Sequence, residues 1–221
     1  MSKVIKFETK VNGKNVTLLV RKPNLEQQRE GQRVYNSSFK DAISSGALLR
    51  SKLEDFAKEQ GIWDDNKQKE FTDLGKQILD LEKVLAKGGI KLVEAKNKAI
   101  ELRKLRAKLN DLVQERTELD VHTAEGQADN SRFNYWVSVC LVYNDTQKPV
   151  FASVEDYLNN QTEDYASKGA AKLAQLLYNL AEDFSSKLEE NKFLKEFGYA
   201  DEKNRLINED GHLVDENGKL I

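Results

Sequence analysis

One cysteine, two prolines and two histidines are all that 221 residues hold of these types, and each scarcity removes a class of explanation. Cys140 alone cannot close an internal disulfide. With so little proline, long helices can run without a forced break. His122, His212 and Cys140 are the only nitrogen or sulfur metal ligands, and they stand far apart in sequence, so a zinc-type centre has no support. No window approaches the roughly 18 consecutive apolar residues that cross a bilayer. Met1 to Lys10 lacks the apolar core of a signal peptide. These absences lead to an expectation of folding in the cytosol, with no membrane partner.

What is abundant is charge. Charged residues make up 33% of the chain beside 39% hydrophobic, the balance of helices that carry a narrow apolar stripe and a wide solvated face. The net charge of −2 conceals an asymmetry: residues 1–110 hold 24 Lys and Arg against 15 Asp and Glu, and residues 111–221 hold 11 against 22. Two such halves attract one another within the fold, or simply coexist on a solvated surface, or mark a bipolar subunit that stacks on copies of itself or on a charged partner.

The expected class is mainly α, with a β-hairpin at the front and a short β tail. VIKFETKV alternates, NGK follows and NVTLLV alternates again, so Asn12-Gly13 stands where a type I′ turn needs two positive φ angles. Two strands are marginal in water, so the hairpin over 1–22 needs helices, a further strand or another subunit beside it. Asn24 with Gln27 then forms a capping-box start. Over 25–60 the stripe Tyr35, Phe39, Ala42, Leu49, Leu53 and Phe56 passes through Gly46. Either Ser44-Ser45-Gly46 breaks the helix, or Gly46 admits a close neighbour on an unbroken rod of about 35 residues and about 50 Å; the stripe favours the rod.

Gly61 suits a helix C′ position, and Asp64 or Asp65 the next N-cap. Phe71, Leu74, Ile78, Leu81 and Leu85 alternate three and four apart. Gly88-Gly89 closes that helix, and Leu102, Leu105, Leu109 and Leu112 continue the rhythm, giving a coiled-coil-like antiparallel αα-hairpin over 66–119 within a helical domain over 23–198. The second arm is longer, so its last turns should reach past the first. Gly126 suggests a bend. In RFNYWVSVCLVY, Phe133, Trp136, Val137, Cys140, Leu141 and Tyr143 share a helical face and belong at the centre of the fold. Ser153 to Asp156 opens a short helix, and a further helix from about Thr162 carries Leu173, Leu176, Leu177, Leu180, Ala181 and Phe184. A last piece carries Leu188, Phe193, Leu194 and Phe197 before Gly198. RLINEDG and HLVDENG are two copies of one seven-residue pattern and KLI begins a third, the mark of short extended pieces and tight turns, a β-meander docking tail over 199–221.

No constellation of catalytic residues emerges. Counting back from Gly211 or Gly218 puts Leu206 or Leu213 where a calcium loop needs its first oxygen ligand. Cys140 lies on the most apolar face of the chain and reads as a small buried hydrophobe. Gly61 and Gly88-Gly89 follow helices and lack the lysine and hydroxyl of a phosphate loop. Carboxylates fall where solvated helix faces require them. No enzyme activity and no cofactor are therefore expected.

The basic arm needs separate weighing. Lys87, Lys91, Lys96, Lys98, Arg103, Lys104, Arg106 and Lys108 crowd one helix, enough to attract phosphates. Interleaved aromatics for base stacking are missing, and the helix turns acidic at Asp111, Glu115, Glu118 and Asp120. Basic residues near a helix N-terminus and acidic ones near its C-terminus also oppose the macrodipole. An antiparallel neighbour would set the two halves against each other and offset that cost.

A hairpin ending in VRKP, then a helix through YNSSFKDAISSGALLRSKLEDFAKEQGIWDD, then a charged αα-hairpin resembles small helical proteins of tailed bacteriophages, including tail-assembly chaperones and virion proteins of marine T4-like phages. The likeness covers roughly the first 120 residues as a general pattern, and the tail NEDGHLVDENGKLI departs from a tail chaperone. It implies a non-enzymatic structural or virion-assembly protein, folded in the host cytoplasm and destined for the virion. Its partners would be other phage structural proteins or copies of itself. The alternatives are a transient tail-assembly chaperone and a nucleic-acid-binding accessory factor using arm 87–108. Partner contacts are expected at Arg103, Lys104 and Arg106 on the arm and at Leu206, Ile207, Leu213, Val214 and Leu220 on the tail.

Overall fold

A computed structural model describes residues 4–179 and 184–221. It is mainly helical, as expected, with eight α-helices and three strands among the described residues. In chain order these are β1 (Val4–Val11), β2 (Lys14–Arg21), α1 (Leu25–Ser44), α2 (Arg50–Glu59), α3 (Asp65–Lys87) and α4 (Leu92–Asp120). Then come α5 (Ala124–Cys140), β3 (Leu141–Tyr143), α6 (Val154–Asn160), α7 (Asp164–Tyr178) and α8 (Glu189–Glu196). The chain forms two compact units, Met1–Glu54 with Glu118–Ala181, and Asp55–Thr117 with Glu182–Ile221. Each is built from pieces distant in sequence.

In the first unit the hairpin forms as its turn chemistry dictates: Asn12 and Gly13 take φ 50° and 76°, and β1 pairs antiparallel with β2 from Val4↔Arg21 to Val11↔Lys14. The further strand that a lone hairpin needs is β3, paired to β2 through Leu18↔Tyr143, Leu19↔Val142 and Val20↔Leu141. The expected helical face over 133–143 is thus cut at Cys140, and Leu141, Val142 and Tyr143 turn into the sheet. Unpaired backbone on β2 and a β-branched, aromatic tripeptide favour that outcome. One sheet face packs on α5, α6 and α7 through Leu18, Val20, Val137, Cys140, Leu141, Leu173 and Leu176; beside them the Phe151 ring stacks on Tyr165 and meets Tyr157 edge to face. Leu180 and Ala181, expected on the α7 stripe, lie outside the described residues.

The rod expected over 25–60 is instead two helices. Gly46 takes φ +88°, Ala47 N–H donates to Ala42 O at 2.9 Å and Gly46 N–H to Ile43 O at 3.0 Å, a Schellman stop that a left-handed glycine makes cheap. Gly61 repeats it at the end of α2, with φ +66° and Ile62 N–H donating to Ala57 O at 2.9 Å. The capping box at Asn24 and Gln27 is present, and Asp64 caps α3. On α1, Gly31 admits the Trp136 ring of α5: a Cβ there would lie 2.4 Å from the indole nitrogen. The bend expected near Gly126 falls at 121–123. Gly126 sits in the first turn of α5, where a Cβ would lie 2.1 Å from the Asp120 carbonyl oxygen.

In the second unit, α3 and α4 lie antiparallel. Lys67 pairs with Glu115 and Arg106 with Glu82, and Lys108 reaches Glu70 at 2.5 Å. Leu74, Ile78 and Leu102 are buried as the stripe requires, and α4 adds two small residues, Ala95 and Ala99. Ala99 packs with Leu194 of α8 and with Ala200, Leu206 and Val214 of the tail.

Candidate interaction surfaces

The C-terminal tail is a stack of three asparagine- or aspartate-initiated turns. Asp201, Asn208 and Asp215 each accept, at Oδ1, the backbone N–H groups two and four residues on, at 2.8 to 3.1 Å. Each turn closes an antiparallel bridge: Ala200↔Leu206, Ile207↔Leu213 and Val214↔Leu220. Ile207, Val214 and Ile221 N–H then donate to Tyr199, Leu206 and Leu213 O, binding each turn to the one before at 3.0 to 3.2 Å. The left-handed position is filled by Gly211 and Gly218 in two turns and by Asn204, φ 61°, in the other. The sequence therefore holds a copy that glycine spacing missed, GYADEKN at 198–204; aligning on the turn-initiating Asp or Asn reveals it.

An odd repeat of seven in extended chain has a consequence for burial. Side chains alternate faces with a period of two, so successive copies present alternate members of each apolar pair to the same side. Ala200, Leu206 and Val214 are buried, while Ile207 and Leu213 stay half-buried. Of the expected partner residues, Leu206 and Val214 are thus used inside the unit. Leu220, 63% exposed, is open at the end of the stack.

Four of the eight basic residues of the arm lie within ion-pair distance of acids of their own unit. Arg106 Nε donates to Glu190 at 2.6 Å and its Nη2 meets Glu82; Lys104 lies 3.7 Å from Glu216; Lys98 lies 3.8 Å from Glu94. Lys96 sits over the Tyr199 ring at 4.3 Å. Arg103 is turned inward, its Nη1 buried without a hydrogen-bond partner. Glu190 is 1% exposed, an exception to the solvated faces on which helix carboxylates are expected.

Where the α3–α4 tip meets α8, a cleft of about 550 Å³ is walled by Leu85, Ile90, Leu92, Ala95, Phe193 and Phe197. Leu92 is 44% exposed, its neighbour Val93 71% and Phe197 46%. Glu189, Lys192 and Glu196 line its charged side. Apolar walls with a charged border are the make-up of a protein-binding groove.

In the first unit, strand order β1-β2-β3 leaves two edges. The β3 edge is covered by its own loop: Tyr143 N–H donates to Lys148 O and Val150 N–H to Leu141 O, both at 3.0 Å. The β1 edge pairs with nothing else among the described residues. A cleft of about 890 Å³ lies beside it, lined by Glu8, Lys10, Asn12, Asn15, Asp164 and Lys168 among others. The Lys168 ammonium, at 2.7 Å, holds the Asp164 carboxyl below the usual carboxylate range, and Thr9 Oγ1 donates to the same oxygen at 3.2 Å.

Chemistry is sparse elsewhere. Burial pushes the Cys140 thiol up to about 12, which keeps it protonated and a poor nucleophile at neutral pH. Among the described residues no three His, Cys, Asp or Glu side chains gather as a metal centre would require, and no helix is long and apolar enough to cross a membrane. Compared with known proteins, the chain matches no family model, no curated protein and no solved structure.

Proposed function

We propose that the chain is a non-enzymatic structural or assembly protein of a tailed bacteriophage and works through protein–protein contacts. The observation that carries the contact reading is the apolar cleft at the α3–α4 tip, with Leu92 and Phe197 of its wall presented to solvent. Side chains of that kind are stable in water as a group only at a modest cost, and covering them on a partner recovers about 25 cal/mol per Å². The phage assignment is supported by the pattern of the first 120 residues. The nucleic-acid alternative loses force because Lys98, Lys104, Arg106 and Lys108 all lie within ion-pair distance of glutamates. The test is quantitative mass spectrometry of purified particles and of the infected-cell lysate. A fixed copy number per particle is the expected result. A chain abundant in the lysate and missing from the particle would identify the transient chaperone instead.

A further inference from the structure

We propose that β1 pairs antiparallel with β1 of a second copy of this chain, about a two-fold axis through Phe7, to make one continuous six-stranded sheet. In a two-residue type I′ hairpin the pair flanking the turn, Val11 and Lys14, exchanges both backbone hydrogen bonds, and every second pair does so from there. Ile5, Phe7, Thr9 and Val11 therefore direct their N–H and C=O groups to β2, while Val4, Lys6, Glu8 and Lys10 direct theirs outward. The side chains of these four outward-directed residues are exposed, and no other described segment takes up their backbone groups. The opposite edge of the sheet is already closed, so pairing is confined to β1.

Charge selects both the occupant and the register. Outward groups must meet outward groups. With the axis at Phe7, Lys6 faces Glu8 of the second copy and Glu8 faces its Lys6, on the solvent side of the sheet, and all four outward residues find a counterpart. An axis at Lys6 or at Glu8 sets like charges directly opposite, which is unfavourable. An axis at Thr9 keeps Glu8 opposite Lys10 but carries Lys6 past the end of the strand to face the turn, so half the ladder is lost. The strand is thus complementary to itself in one full-length register, the isologous arrangement that closed dimers require. The inference deepens the contact reading of the chain but stands on the sheet edge, apart from the cleft and from any viral origin.

Sedimentation velocity on the full chain across a concentration series tests it, with amide exchange read at the same concentrations. The expected result is a reversible dimer. Glu8→Lys, which turns both cross-pairs into like charges, weakens it by roughly tenfold or more, and Lys6→Glu combined with Glu8→Lys restores it. Amides of Lys6, Glu8 and Lys10 become protected as the dimer forms, while those of Phe7 and Thr9 do not change. Both positions are exposed, and circular dichroism checks that the variants keep the fold. A chain that stays monomeric throughout overturns the proposal, as does a dimer indifferent to Glu8→Lys. Either failure leaves the particle measurement free to succeed.

Discussion

Gly126 and Arg106 show how single residues set local geometry here. A methyl group on Gly126 would meet the Asp120 carbonyl, part of the backbone, which cannot rotate away as a side-chain tip would. Gly126→Ala gains helix propensity of about 1 kcal/mol, yet the displaced α4–α5 joint should cost about 1–3 kcal/mol more than that gain. Urea unfolding of the first unit's tryptophan signal, from Trp136, would measure it; an unchanged midpoint would mean that the joint yields freely. Arg106 anchors a buried acid. Its Nε is the hydrogen-bond donor to Glu190, whose other oxygen has no partner. Arg106→Met should destabilise the second unit by about 3–5 kcal/mol, because the Glu190 charge is then stranded, and adding Glu190→Leu should recover most of the loss. Denaturation of the double variant decides between a stranded charge and lost packing by the arginine stem.

At the scale of elements, the turn stack depends on side-chain carboxylates and amides acting as acceptors for backbone N–H groups. Hydrogen bonding from the Arg205 backbone N–H lowers the Asp201 carboxyl below its ordinary value, with the Arg205 guanidinium adding to it. A carboxyl depressed in the folded state contributes stability that is present above its unfolded value and lost as pH falls through the folded one. The turn at 201–205 should therefore loosen in acid, below about pH 4, and Asp201→Asn should remove that step. Amide exchange at Arg205 and Ile207 reads it directly. The elements were legible where the cue is local: the Asn12-Gly13 hairpin, the Asn24–Gln27 box and the Gly61 and Gly88 stops all follow from a few adjacent residues. The break at Gly46 was misread because a stripe with a gap looks the same whether the gap is a close approach or a stop. β3 was hidden inside an apolar run that suits a helix face equally well, and only β2, some 120 residues away, decides between them. The copy at 198–204 was hidden because Asn204 stands where the other two turns have glycine.

For the whole molecule, charge asymmetry turned out to be partly internal to each unit. The acidic end of α4 meets Lys67 through Glu115, while its basic stretch meets Glu70, Glu82 and Glu190. An antiparallel neighbour does offset the unfavourable macrodipole order, and α3 is that neighbour. Which apolar side chains stay exposed could not be read from the sequence, because Leu206 and Val214 are as apolar in the chain as Val93 and Phe197, and only the fold separates the buried pair from the exposed one. We propose that the exposed cleft residues serve a protein contact in an assembled particle. Copy number per purified particle, compared between the wild-type chain and Phe197→Asp with the fold of the variant verified by its melting curve, decides this. A constant wild-type number and a loss of roughly tenfold or more for the variant are expected, the scale set by burying one aromatic side chain. A variant incorporated as fully as wild type would contradict it.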